Sequence, residues 1–247
     1  MEALGVDIGG TGIKAAKVDT RTGELVSERL RIPTPEPSTP PRVAKVIRDA
    51  VQHLGYEGPV GCGFPGVVRG GVIQSAANVS KKWIGVRGAD LFHQETGLDF
   101  VLGNDADFAG LAEMRFGAGR GRKGLVIMLT FGTGIGTAFF MDGKLIPNVE
   151  LGHLEIRGRE AEKWASERSR IEEGLSFQKW ARRVNVYLER MHAYFWPELF
   201  ILGGGASRKF EKFRKHLEVP CDLLPAKLRN RAGVIGAALA AAQRARI

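Results

Sequence analysis

With 247 residues, 44% of them hydrophobic and 26% charged, the chain can bury a large core in one or two domains and has the composition of an ordinary soluble globular protein. Its 36 basic and 27 acidic residues leave a formal charge of +9, a field that concentrates polyanions. No helix-turn-helix precedes the first strand, and neither a zinc finger nor an aromatic-rich RNA-binding signature occurs, so nucleic acid is not the expected partner; a phosphate polymer would use the same field. No apolar run approaches the ~20 residues needed to cross a bilayer, and the N-terminus lacks the basic, apolar and cleavable pattern of a signal peptide. No membrane association and a cytoplasmic location are expected. Cys62 and Cys221 stand far apart outside any C-x-x-C pair, which argues against a disulfide framework or a cysteine zinc site and reads both as core residues.

In chain order, the run 4–8, the bend Gly9-Gly10-Thr11-Gly12 and the run 13–18 place β-branched and small residues around a glycine-rich turn, which predicts a β-hairpin. A strand over 24–32 follows, then an extended loop over 33–41 with five prolines, too short to separate domains, and an amphipathic helix over 42–54. A strand over 60–64 ends in Phe64-Pro65-Gly66, and 67–73 reads as a short hairpin. A helix over 87–96 and a strand over 100–102 lead to Gly103-Asn104-Asp105 and a helix over 106–116 that is expected to cross into a second domain. The loop 117–124, carrying Arg120, Arg122 and Lys123, precedes a second glycine hairpin: 126–131, Gly132-Thr133-Gly134, then 135–141. Beyond Leu151 the pattern turns helical, notably over 176–194, followed by a strand at 199–202, the bend Gly203-Gly204-Gly205 and an alanine-rich helix over 232–244. Strands and helices in this alternation predict an α/β architecture.

The tetrapeptide Gly-Thr-Gly-Ile thus occurs twice, beginning at Gly10 and at Gly132, which suggests two related halves closing on one phosphate chain. Glycines at such bends allow φ > 0 and bare amides that converge on an anion. Either bend alone would merely turn the chain; with Asp7 and Asp105 the pair points to phosphate, held by Gly9, Gly10, Thr11, Gly12, Gly132, Thr133 and Gly134. Lys14 either reaches the transferred phosphoryl group or is an ordinary strand lysine. Asp7, beside the first bend, calls for a cation such as hydrated Mg²⁺ bridging its carboxylate to phosphate oxygens, unless it is a plain strand-end aspartate. Asn104-Asp105 at a helix start is explained by capping, and equally by a carboxylate that takes the proton of an attacking hydroxyl. Glu150 and His153, three residues apart, either hydrogen-bond neighbouring hydroxyls of a sugar ring or form a structural pair. Lys81, Lys82, Arg120, Arg122, Lys123, Arg157 and Arg159 line a track for a phosphate polymer or are solvated loop charges.

Asp7-Ile8-Gly9-Gly10-Thr11, Gly103-Asn104-Asp105, Gly132-Thr133-Gly134-Ile135-Gly136 and Glu150-Leu151-Gly152-His153 occur in the order and approximate spacing of the ROK family of sugar kinases, which the whole chain resembles in outline. The resemblance implies an actin-like, hexokinase-type (ribonuclease H-like) α/β fold of two lobes around a cleft. A smaller domain would span 1–108 with a helix over 234–247 returning to it, and a larger one 109–233. It also implies that Asp105 is the base, that Asn78, Asn104, Asp105, Glu150 and His153 contact the sugar, and that Gly203, Gly204 and Gly205 lie near the nucleotide. Family members follow the Glu-x-Gly-His segment with a zinc-binding cysteine cluster, and 157–173 contains no cysteine. No zinc is therefore expected, His153 has no visible metal partner, and Glu167, Glu172 and Glu173 become candidate sugar contacts. This loss, the short chain, Lys81-Lys82-Trp83 and Ala165-Ser166-Glu167-Arg168 look like the polyphosphate-dependent glucokinases of that family. The implied activity is Mg²⁺-dependent transfer from inorganic polyphosphate, and from ATP, to glucose, with mannose a further candidate and a homodimer expected. Rivals are an ATP-only family kinase, a sugar-responsive DNA-binding regulator, which would carry an extra N-terminal segment ahead of Asp7, and a pantothenate-type kinase, against which Glu150 to His153 argues.

Overall fold

The computed structural model describes residues 1–244; the end of the helix expected over 234–247 lies outside them. The chain divides into two compact units, Met1–Ala112 with the C-terminal segment from Arg231, and Glu113–Asn230.

In the first unit β1 (Glu2–Ile8) and β2 (Ile13–Asp19) pair antiparallel around the first glycine bend, with Ile8 opposite Ile13. The strand expected over 24–32 is instead two, β3 (Glu24–Leu25) and β4 (Leu30–Ile32), both paired to β2. Between them the Lys17 N–H is taken by the Ser27 hydroxyl at 3.0 Å, so a side chain replaces a ladder bond and the backbone loops out. Helix α1 (Pro40–Leu54) starts on prolines behind Thr39, ends at Gly55 in the left-handed conformation, and buries Val43, Ala44, Ile47, Val51 and Leu54 along one face. Then come β5 (Val60–Phe64), a hairpin of β6 (Val68–Arg69) and β7 (Val72–Ile73) turning on Gly70 and Gly71, α2 (Gly88–Thr96), β8 (Phe100–Asn104) and α3 (Asp105–Phe116). The sheet order is β3-β2-β1-β5-β8, and β1, β5 and β8 run parallel, so their carboxyl ends share one edge.

The alanine-rich helix Ala232–Arg244 lies directly on this sheet. A methyl group at Gly5 would sit 1.9 Å from the Val234 carbonyl oxygen, and one at Gly61 1.7 Å from that of Ala237. Bare strand glycines facing Val234 and Ala237 let the two backbones approach closely.

The second unit repeats the plan. Strands β9 (Leu125–Phe131) and β10 (Ile135–Met141) pair antiparallel around Gly132-Thr133-Gly134, with Phe131 opposite Ile135. Next are β11 (Lys144–Ile146), a hairpin of β12 (Glu155–Ile156) and β13 (Arg159–Glu160), α4 (Ala161–Ala165), α5 (Glu167–Glu172), α6 (Phe177–Phe195), β14 (Leu199–Gly203), α7 (Phe210–Arg214) and β15 (Asp222–Pro225). Apart from β4, which has no counterpart, the order β11-β10-β9-β14-β15 matches that of the first unit, an antiparallel hairpin followed by parallel neighbours. Helix α6, capped by the Ser176 hydroxyl, buries Trp180, Val184, Tyr187, Leu188 and Met191 against the sheet, where the Trp180 ring meets those of Phe131 and Phe213. The stretch after Leu151 is not uniformly helical: a short 3₁₀ turn, Leu151–His153, and the β12–β13 hairpin come first.

Candidate active site

Each unit presents its glycine bend at the carboxyl edge of its parallel strands, where ligands sit in open α/β sheets. In the first unit Asp7, Gly63 and Gly103 are aligned across β1, β5 and β8. Asp7 is 9% exposed, and its Oδ2 accepts a 2.7 Å hydrogen bond from Lys14 Nζ, its partner across the hairpin. A methyl group at Gly233, in the first turn of the C-terminal helix, would lie 2.8 Å from the Asp7 carboxylate carbon, so that carboxylate also faces a helix N-terminus. Lys14 is thus ion-paired to Asp7. Arg31, opposite Lys14 in β4, brings its Nε 3.3 Å from where a methyl at Gly12 would be, a second cation at the bend that sequence reading missed. Burial pushes the neighbouring Cys62 thiol up, and the Asp7 charge adds to this.

The bends differ in one respect from expectation. Among Gly9, Gly10, Gly12, Gly132 and Gly134 none has a φ in the left-handed region. At Gly10 the requirement is close approach: a methyl there would lie 2.8 Å from both Cβ and the carbonyl oxygen of Asn78. Asn78, itself left-handed at φ 59° as asparagine tolerates, is thereby brought onto the first bend. The Thr34 hydroxyl donates to the Gly9 carbonyl at 2.5 Å and fixes the same bend from the proline-rich loop. Thr11 and Thr133 are both exposed.

Asn104 and Asp105 separate their tasks. Asn104 is 5% exposed; its Oδ1 accepts from the Asp107 N–H at 3.0 Å and caps α3, while its Nδ2 donates to the Gly66 carbonyl at 3.2 Å. The cap is therefore Asn104. Asp105 is the half-buried first residue of α3, with Oδ1 accepting from the Ala106 N–H at 2.8 Å. Gly63 leaves room beside it, since a methyl there would touch Asp105 Cα at 3.4 Å.

In the second unit the Glu150 to His153 turn is pinned to β10. The Leu151 N–H donates to the Thr137 hydroxyl at 3.1 Å, buried Tyr187 donates to the Leu151 carbonyl at 3.1 Å, and a methyl at Gly152 would fall 2.0 Å from the Ile135 carbonyl oxygen. His153 is ringed by carboxylates: Nε2 is 4.0 Å from Glu150, and Nδ1 is 3.4 Å from Glu160 and 3.9 Å from Glu162. Burial pushes the Glu150 carboxyl up, with the Glu162 charge adding and His153 opposing. Glu162 Oε2 also accepts from the Ile135 N–H at 3.4 Å, tying this group to the second glycine bend. His153, Glu160 and Glu162 hold ligand atoms within 4.8 Å of one another, close enough to share a metal ion, so His153 has carboxylate neighbours in place of the absent cysteines.

Three candidate sugar contacts pair with basic residues. Glu167 faces Lys209 at 3.7 Å and packs on Gly205, Glu172 pairs with Arg168 at 3.3 Å, and Glu173 pairs with Arg183. Glu160 and Glu162 take the place beside His153; their spacing from it gave no periodic signal, because the connecting hairpin is irregular. Gly203 lies next to Thr130 in the β9–β14 ladder, and Gly204, at φ 75°, is pressed against the Phe131 backbone, so this bend adjoins Gly132. Of the expected polymer track, Arg120, Arg122 and Lys123 precede β9 and so lie about 20 Å from its glycine end, the length of a seven-residue strand. Arg122 is paired with Asp222 at 2.7 Å. Lys81 Nζ is tied to the Ala76 carbonyl, and Lys82 is exposed. A groove of about 1110 Å³ in the first unit, lined by Arg87, Asp90, His93 and Asp99 among others, contains none of the expected residues.

The ROK family model matches residues 3–164. The chain belongs to the ROK family. Among its ROK relatives, the polyphosphate glucokinase of Mycobacterium tuberculosis is 48% identical over 238 residues, 96% of this chain and 90% of that protein. The inorganic polyphosphate/ATP-glucomannokinase from Arthrobacter sp. strain KM superposes with a TM-score of 0.95 at 45% identity, covering 98% of this chain and 99% of that one. A ROK family glucokinase from Streptomyces griseus, solved with glucose and AMPPNP, gives a TM-score of 0.85 at 28% identity over 98% of this chain and all of that one. The fold is the actin-like, hexokinase-type fold of these ROK sugar kinases. Among the described residues no helix is long and apolar enough to cross a membrane.

Proposed function

We propose that this ROK kinase transfers the terminal phosphoryl group of inorganic polyphosphate, and of ATP, to the 6-hydroxyl of glucose. The observation that carries the reading is the 48% identity to a polyphosphate glucokinase along nearly the full length of both chains. The glucose O6 attacks the terminal phosphorus in line, its proton passes to the Asp105 carboxylate, and the bridging P–O bond breaks with its electron pair leaving on the shortened polymer or on ADP. Asn104 fixes the start of α3 and with it the direction of Asp105. Asn78, Asn104, Glu150 and His153 orient the sugar hydroxyls. The amides and hydroxyls of Gly9, Gly10, Thr11 and Gly12, with Lys14, and those of Gly132, Thr133 and Gly134 hold phosphoryl oxygens, while Gly203, Gly204 and Gly205 border the nucleotide when ATP is the donor.

Asp7 fits a divalent cation held through water: its carboxylate lies beside the first bend, and one carboxylate with phosphate oxygens is the usual setting of hydrated Mg²⁺. When bound, Mg²⁺ would neutralise charge on the phosphoryl oxygens. A cytoplasmic homodimer that also accepts mannose completes the proposal. A donor panel tests it. Purified protein, glucose or mannose, and either polyphosphate or ATP are combined with Mg²⁺, and the hexose 6-phosphate is measured. Product from polyphosphate in nucleotide-free buffer is expected; product from ATP alone would leave an ATP-only kinase.

A further inference from the structure

Two residues of the expected polymer track, Arg157 and Arg159, meet Arg183 in the second unit, so that three guanidinium groups gather on one indole. Strands β12 and β13 join through Arg157-Gly158, at φ 54° and 77°, the two-residue geometry of a tight hairpin. Arg157 and Arg159 place their guanidinium carbons 5.4 and 5.8 Å from the centre of the Trp164 ring, and Arg183 of α6 places its own at 5.7 Å. Trp164 is 6% exposed and forms a fixed floor. Arg183 donates to the Trp164 carbonyl at 2.8 Å and is paired with Glu173, whose carboxyl it holds below the ordinary range. Among the described residues no ion pair joins Arg157 or Arg159 to a carboxylate.

Three positive charges thus meet one negative one. Sharing a ring centre leaves no two guanidinium carbons more than about 11.5 Å apart, close to the ~8–10 Å over which physiological salt screens charge. Stacking on the indole holds the side chains without neutralising them. A cluster that repels itself and stays assembled is arranged for an anion, and guanidinium forks match phosphate oxygens in pairs. The hairpin also runs straight into α4, which carries both Trp164 and Glu162, and Glu162 touches the second glycine bend. The segment that carries Arg157, Arg159 and Trp164 is therefore hydrogen-bonded to the residue that follows the bend.

We propose that Arg157, Arg159 and Arg183 anchor the distal part of a phosphate polymer whose reacting end lies at the glycine bends. The inference rests on the polyphosphate reading above and adds a chain-length dependence to it: long chains engage the cluster more fully than tripolyphosphate or ATP.

The test compares long-chain polyphosphate, tripolyphosphate and ATP as donors for the wild type and for Arg157→Asn/Arg159→Gln, asparagine being tolerant of the positive φ at position 157. We expect kcat/KM with the long polymer to fall about tenfold and its salt dependence to flatten, with the short donors changed less than about twofold. Glu173→Gln, which removes the opposing charge, should lower KM for the long polymer alone. Equal losses with all three donors, or an unaltered preference for long chains together with no effect of Glu173→Gln, would overturn the anchor while leaving the donor reading intact. A wild type that makes no product from any polyphosphate would overturn both.

Discussion

Asn104→Ala removes two hydrogen bonds at once, and the size of the effect follows from what each one holds. The Oδ1 cap on the Asp107 N–H is worth about 1 kcal/mol. The Nδ2 bond to the Gly66 carbonyl, made by a side chain only 5% exposed, is worth about another 1 kcal/mol. A loss of about 2 kcal/mol in a chain of this length lowers the thermal midpoint by about 4–8 °C. Asn104→Ser keeps a good capping oxygen but is too short to reach Gly66, so it should lose about half as much. Circular dichroism melts at neutral pH read the stability, and steady-state kinetics read the consequence for Asp105, whose helix start is no longer fixed; kcat should fall along with the midpoint. If Asn104→Ala melts within about 1 °C of the wild type, the two bonds do not tie the carboxyl ends of β5 and β8 together, and the positioning of Asp105 needs another source.

Two further outcomes follow from the second unit. Gly152→Ala drives a methyl group to 2.0 Å from the backbone oxygen of Ile135, which cannot move aside, whereas Gly134→Ala meets only the mobile end of Glu162 at 2.3 Å; melting curves should show a loss of about 1–3 kcal/mol for the first and under about 1 kcal/mol for the second. Because burial raises the folded-state pKa of Glu150, its protonated form favours the fold at low pH and that advantage disappears as pH rises through the raised value. Glu150→Gln should therefore gain stability relative to the wild type as pH rises out of the ordinary carboxylate range and through the raised value; a difference that does not change with pH there would contradict the burial of the charge.

The elements that could be read from sequence are those with a strong local cause. Both glycine hairpins stand out because β-branched residues flank a run that only a turn accommodates, and α6 stands out because Trp180, Val184, Tyr187, Leu188 and Met191 recur at helical spacing. Strands β12, β13 and β15 could not be seen: the first two are pairs of residues around an Arg-Gly turn, and β15 is four residues ending in proline, held by its neighbour β14 and not by its own pattern. The same distinction runs through the candidate site. Asn104-Asp105 and Glu150 to His153 were legible as spaced motifs, but which glutamate faces His153 depends on the β12–β13 hairpin, so Glu160 and Glu162 emerged only in three dimensions. Glycine at position 10 was read as a source of positive φ, whereas its backbone is ordinary and its missing side chain makes room for Asn78. Local sequence reports conformational freedom; it does not report who the neighbour is.

The account depends most on a carboxylate at position 105 that takes the proton of the sugar hydroxyl. Asp105→Asn, assayed with polyphosphate and glucose in nucleotide-free buffer and titrated with glucose by calorimetry, separates chemistry from binding. Turnover should fall by about 10²–10⁴-fold with the glucose Kd changed less than about threefold. Turnover close to that of the wild type would contradict the assignment of the base.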